Sequence, residues 1–221
     1  SAGDNTYTDF GIRVAHKFSE KFAAKANFGW LKGTDWAATS EVDSDMIGGT
    51  RATNLNYNGI NVYGDEVSAN INDLAGGTGI VPDVNVSRTG YNERDLTNYN
   101  AESIKADWGL YYRPFEDDFE ISYVGKVGTG STIFQGTNRY NIDGFFQEQH
   151  KLELKNDNFF LRGYVVSDDA GDSYDMVYAG ININETWKTN EAWFGDYIGT
   201  YVAQTLGGAT DAQAHAAARN V

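Results

Sequence analysis

The sequence predicts an all-β, antiparallel fold of about six long strands, joined by long connections that carry short helices. Three observations predict it. Apolar and polar residues alternate with a period of two in six runs, which sends successive side chains to opposite faces of a strand. Tyr, Trp and Phe make up 14% of the chain and Gly is abundant at 25 against 2 Pro, a composition suited to sheets rich in turns. Very short reversals alternate with very long polar excursions.

The first hairpin spans about 7–31. Thr8, Phe10, Ile12, Val14, His16 and Phe18 share one parity against Asp9, Gly11, Arg13, Ala15 and Lys17. After a short turn at Ser19-Glu20, Phe22, Ala24, Ala26, Phe28 and Trp30 alternate with Ala23, Lys25, Asn27, Gly29 and Leu31. A polar connection, 33–102, holds eleven acidic and three basic residues.

The second hairpin, 104–127, has the clearest pattern. Ile104, Ala106, Trp108, Leu110 and Tyr112 oppose Lys105, Asp107, Gly109, Tyr111 and Arg113; Phe119, Ile121, Tyr123, Gly125 and Val127 oppose Glu120, Ser122, Val124 and Lys126. Pro114 cannot donate a ladder hydrogen bond and Glu116-Asp117-Asp118 suits a reversal. A second long loop is expected at 128–149. The third hairpin covers 151–166, with Leu152 and Leu154 alternating against Lys151, Glu153 and Lys155 before an Asn156-Asp157-Asn158 turn.

The last excursion, 167–221, changes period. Trp193, Phe194, Tyr197, Ile198, Tyr201 and Val202 recur at helical spacing and stop at Gly207-Gly208. Thr210 with Gln213 reads as a capping box. Residues 174–187 fit helix or strand equally.

The polar parity carries full charges, which suits bulk water beside a globular core or the wet lumen of a barrel beside lipid. Short turns alternating with long excursions, and Phe18, Phe22, Phe115, Phe119 and Phe159 beside the short turns, favour a partial transmembrane β-barrel with extracellular loops. An antiparallel sandwich is the competing fold. No run of about 18 apolar residues offers a transmembrane helix, which says nothing of a barrel. The net charge of −14 argues against a nucleic-acid partner, and the absence of Cys rules out disulfides and thiolate metal sites. The opening residues show no leader, and both ends read as those of a fragment.

Four segments, FGWLKGTDW (28–36), NYNGINVYGDEVS (56–68), the block 111–164 opening YYRPFEDDFEISYVGKV, and DAGDSYDMVYAGININETW (169–187), resemble the TonB-dependent outer-membrane receptors of Bacteroidota-type bacteria. The resemblance implies a barrel of roughly 22 strands around a plug, importing a siderophore, oligosaccharide or peptide across the bacterial outer membrane. It also implies as partners the membrane lipid, the rest of the barrel and plug, the TonB complex through an N-terminal part missing here, and a surface lipoprotein. Six strands cannot close such a barrel, so all of 1–221 reads as a fragment of one barrel domain. The runner-up function is a soluble extracellular β-rich ligand-binding or adhesion module.

Arg13, Lys17, Lys25, Lys105, Asp107, Arg113, Glu120, Lys126 and Arg162, with Lys151 and Glu153, are the lumen-lining candidates by parity. Tyr57, Tyr63, Phe134, Tyr140, Phe145 and Phe146 are candidate ligand contacts on loops, since aromatic faces suit stacking. Asp43 and Asp45, and Asp169 and Asp172, lie in acidic clusters that could offer calcium its oxygen ligands, though neither matches EF-hand spacing; no other cofactor is expected. Nothing predicts an enzyme: no Gly-x-Ser-x-Gly elbow occurs, and His16, His150 and His215 lack metal-ligand spacing.

Overall fold

The computed structural model describes residues 6–136 and 138–221. In chain order the elements are β1 (Tyr7–Lys17), β2 (Phe22–Thr34), β3 (Val62–Tyr63), β4 (Ser68–Asn70), α1 (Ile71–Leu74), β5 (Asn85–Ser87), β6 (Tyr91–Asn92) and α2 (Glu93–Leu96). They continue as β7 (Asn100–Tyr112), β8 (Glu120–Gln135), β9 (Arg139–Lys155), β10 (Phe160–Asp169), β11 (Tyr174–Asp175), α3 (Met176–Trp187), α4 (Asn190–Leu206) and α5 (Asp211–Ala218). The fold is mostly antiparallel β. Two compact units divide the chain: 1–36, 99–136 and 140–174 form the first, and 37–98, 137–139 and 175–221 the second.

Unit 1 is a sheet in the order β1-β2-β7-β8-β9-β10, with β11 paired to β9. The register fixes its two faces, because residues directly opposite in an antiparallel pair share a side. Phe10 faces Trp30 and then Ile104; Ile12 faces Phe28 and then Ala106, which faces Val127. Arg13 faces Asn27 and then Asp107, which faces Lys126. The strands β1, β2, β7 and β8 therefore each add their apolar parity to one side and their charged parity to the other. β1 and β10, the two ends of this order, are exposed along their whole length, and the sheet is open.

Along the short-turn edge the aromatics form a row. Phe18 stacks on Phe22 at 5.4 Å, Phe115 meets Phe119 at 5.9 Å, and Phe119 meets Phe159 at 6.5 Å.

Residues 128–149, expected as a loop, are strand instead: β8 runs on to Gln135 and β9 starts at Arg139. Backbone ladder bonds need no regular alternation, so pairing continues where glycines and polar residues interrupt the apolar parity.

Unit 2 has a core of its own. Ile71, Val81 and Val86 from 37–98 pack with Trp193, Phe194, Tyr197 and Tyr201 of α4 and Ala214 and Ala218 of α5. The ambiguous stretch 174–187 resolves as helix: Asp175 caps α3 by accepting from the Val177 and Tyr178 amides at 2.8 and 3.2 Å. Gly180 lets α3 approach the backbone of Tyr63, where a Cβ would stand 2.4 Å from the Tyr63 carbonyl oxygen. The Thr210/Gln213 capping box opens α5. No helix among the described residues is long and apolar enough to cross a membrane, a fact that does not bear on crossing by strands.

Candidate functional site

The charged face of the sheet gathers the lumen candidates on one side. Alternation puts Arg13 and Lys17 of β1, Lys25 of β2, Lys105 and Asp107 of β7, Glu120 and Lys126 of β8 and Arg162 of β10 on the same parity set, and Arg113 follows β7 on that parity. Two nearly buried carboxylates organise its far side. Glu120 accepts from Arg113 Nε at 3.0 Å and pairs with Lys155 at 3.3 Å. Glu153 takes Arg162 Nε and has Lys151 at 3.8 Å. Each carboxylate answers two cations, at least one of them from a neighbouring strand. The pairs thus tie β7, β8, β9 and β10 together by side chains as well as by backbone.

Among the described residues, Lys25, Lys105 and Lys126 of this face enter no ion pair. A groove of about 630 Å³ opens between Lys25, Lys105, Asp107, Tyr111, Lys126 and Lys151. Asp107 accepts from Asn27 Nδ2 at 2.7 Å. Lys25 Nζ sits over the Tyr111 ring, 5.5 Å from its centre. β10 departs from the pattern: Phe160, Tyr164 and Val166 share the parity of Arg162, whose guanidinium lies over the Phe160 ring at 5.4 Å. This edge strand is apolar on both sides.

The loop aromatics divide. Phe134 and Tyr140 pair at 6.0 Å, Phe146 is exposed and Phe145 half-buried, so these four lie on the sheet. Tyr57 and Tyr63 do not offer their rings to a ligand. Both are buried, Tyr57 donating to the Glu41 carbonyl at 2.7 Å and Tyr63 to Glu93 Oε2 at 2.7 Å. Burial and the Glu93 carboxylate together push the Tyr63 hydroxyl well above its ordinary pKa.

Among the described residues no three His, Asp or Glu side chains assemble as a group that could hold a metal ion. Asp43 is buried and spends its oxygens inside its own turn, accepting from the amides of Asp45 and Met46 and from Asn54 Nδ2 at 2.6 Å. Asp45 takes the Ser44 hydroxyl. Asp169 accepts from the Gly171 amide, while the Asp172 amide donates to the Asp143 carbonyl. These acids build turns. The histidines also lie apart: His16 packs on Phe18, His150 stacks with Tyr123 and shares a 2.8 Å hydrogen bond with its hydroxyl, and His215 shares a hydrogen bond of the same length with Tyr197.

Three buried polar groups of unit 2 carry no sequence signal. Glu93 is fully buried and holds Arg139 through two bonds, one from Nε at 2.9 Å. Arg88, also buried, donates to the Lys188 carbonyl, just past the C-terminus of α3, and to the side chain of Asn190, the first residue of α4. Its guanidinium lies 5.6 Å from both the Trp187 and the Trp193 ring. Asn184, inside α3, donates to the Gly64 and Thr89 carbonyls and accepts from Tyr91.

Compared with protein-family models, curated proteins and solved structures, the chain finds no match.

Proposed function

We propose that the chain is part of the barrel wall of an outer-membrane TonB-dependent receptor, a transporter that imports a scarce nutrient, with unit 2 built from its external segments. The observation that carries this reading is the uncovered apolar side of the sheet. Phe10, Ile12, Val14, Phe28, Ile104, Leu110, Leu152, Leu161 and Val165 share that side and are each between 37% and 67% exposed. A monomeric soluble protein rarely leaves so continuous an apolar surface in water. In a bilayer the same face is solvated by lipid, and the charged face opposite stays in water. The aromatic row at the short-turn edge suits a membrane interface. The resemblance of the four sequence segments supplies the family.

The second reading, a soluble extracellular ligand-binding or adhesion module, has the independent core of unit 2 in its favour. It leaves the apolar side of unit 1 without a role.

Accessibility separates the two. Phe28 and Lys126 lie at almost the same level of the sheet on opposite sides. Lys126 is the better aqueous control than Ser122, which is only 3% exposed although it shares that side. In the full-length protein, the thiol of Phe28→Cys should react with a lipid-dissolved probe and resist an aqueous reagent, and that of Lys126→Cys should do the reverse. Equal aqueous labelling of both removes the membrane reading.

A further inference from the structure

We propose that the groove on the charged side of unit 1 is a binding site for a carboxylated oligosaccharide, a proposal that rests on the transport reading and names the class of cargo. In a chain of net charge −14, this groove is lined by four lysines and the carboxylate of Asp107, while the Glu148 side chain shares the opposite parity with His150, 3.7 Å away. The ion pairs of the same face engage Arg113, Lys151, Lys155 and Arg162; among the described residues they leave Lys25, Lys105 and Lys126 out. These three cations form a series. Lys25 stands at the level of Gly109, Lys126 at that of Asp107, and Lys105 opposite Gly29 and Gly128. Successive same-side levels are about 6.7 Å apart along a strand, so positive charge repeats in two equal steps across three neighbouring strands.

The floor is bare for a reason. Glycine stands opposite Lys25 and on both sides of Lys105, and no neighbouring atom lies within 4 Å of where a Gly29 Cβ would be. The Tyr111 ring lies over Gly109, its hydroxyl 2.8 Å from where a Cβ would stand, and holds the Lys25 ammonium above it. Gln147 and Gln149 add neutral donors and acceptors to the lining. A repeated charge with hydroxyl-binding amides beside it fits a short chain of acidic sugars, and the volume is within the ordinary range for small-ligand sites.

The test measures binding of tri-galacturonate to the full-length protein in detergent, against its methyl ester, which has the same rings without charge, and against tri-glutamate. Tri-galacturonate should bind, more weakly as salt rises. Lys105→Gln and Lys126→Gln should each weaken it about fivefold, since each removes one exposed charge contact. Equal binding of the ester, equal binding of tri-glutamate, or no loss in the two variants overturns the proposal. So does loss of a plug domain from the variants with sugar binding intact, which would assign the lysines to a protein contact. The thiol labelling of Phe28→Cys and Lys126→Cys is carried out separately, in membranes that hold the full-length protein. Failure there removes the transport reading whatever the sugar does, and failure of the sugar alone leaves it standing.

Discussion

The two units stabilise themselves in opposite ways. Among the described residues, the only buried apolar side chain of unit 1 is Ile133; the others, from Tyr57 to Ala218, are in unit 2. Unit 1 has a backbone ladder, a charged side braced by Glu120 and Glu153, and an apolar side left open. Unit 2 has few ladder bonds, and its buried Glu93, Arg88 and Asn184 side chains are hydrogen-bonded. The difference teaches where the surroundings must contribute. A unit with a closed core carries its own hydrophobic stabilisation, whereas a one-layer sheet depends on what covers its apolar side.

The largest effect should come from breaking the buried pair of unit 2. Arg139→Met leaves the fully buried Glu93 carboxylate with the Tyr63 hydroxyl and without its guanidinium. Removing one partner of a buried pair typically costs about 3–5 kcal/mol. Hydrogen exchange in the full chain should show amides of β3 and α2 losing protection, with those of β2 and β7 unchanged. Adding Glu93→Leu should recover most of the loss; if the double variant is no better, uncompensated charge is not the cause. The contrast inside unit 1 is Lys17–Glu20, an exposed pair at 2.6 Å whose removal should leave protection unaltered.

Next in size is the apolar side of the sheet. Phe28→Arg places a charge where lipid is expected, at a cost of about 2–4 kcal/mol near the middle of a bilayer. Asn27→Arg, one residue away, points to the charged side with Asp107 as a partner. Heat-modifiable mobility of assembled protein in outer-membrane fractions should fall for the first variant and hold for the second. Equal loss in both would mean that the two sides are not in different solvents.

Legibility in the sequence follows the same division. The strands of unit 1 could be read because one side is apolar and the other charged, so Ile104 to Tyr112 and Phe119 to Val127 encode their own register. The pattern failed at 128–149, where Ile133, Phe134, Phe145 and Phe146 fall on both parities among glycines and polar residues. Helix α4 could be read from Trp193, Tyr197 and Tyr201 at helical spacing, and α5 from Thr210 and Gln213. Helix α3 could not, because Ile181 and Ile183 alternate like strand residues while Gly180 and Asn184 face the interior for close approach and hydrogen bonding. The core partners Ile71, Val81 and Val86 fall in a polar stretch without period. Glu93 and Arg139, 46 residues apart, meet only in the folded chain. For the candidate site, parity found the charged side but not which lysines lack a carboxylate, since that depends on cross-strand neighbours.

A third effect, confined to one window of pH, concerns Asp65. Its side chain is buried, one oxygen accepts from the Gly59 amide at 3.0 Å, and the other has no hydrogen-bond partner among the described residues. Burial pushes its pKa up to about 7, against the Gly59 hydrogen bond. A folded-state pKa above the unfolded one means that the native state binds the extra proton between about pH 4 and 7. The group therefore lowers stability as pH rises through that window, and the whole penalty is present above it. Asp65→Asn should match the parent near pH 4 and exceed it at pH 8, followed by fluorescence of the buried Trp193 during unfolding. A constant difference across this range would show that Asp65 does not titrate there.

The smallest effect tests whether the C-terminal helix contributes to the core of unit 2 through its cap. The Thr210 hydroxyl accepts from the Gln213 amide at 3.4 Å, and the Gln213 side-chain oxygen accepts from the Thr210 amide at 2.9 Å. Both otherwise unpaired donors at the start of α5 are satisfied by this exchange. The helix has only eight residues, too few to be stable alone, and it brings Ala214, His215 and Ala218 into the core. Thr210→Ala should cost about 1 kcal/mol, and Thr210→Ser should cost almost nothing because the oxygen remains. His215 gives a local reading, since its ring lies 4.6 Å from Tyr201 and shares a hydrogen bond with Tyr197. In Thr210→Ala the aromatic resonances of Tyr197 and Tyr201 should broaden as α5 frays. If α5 loses protection without any change at these two tyrosines, the cap serves the helix alone and the core does not depend on it.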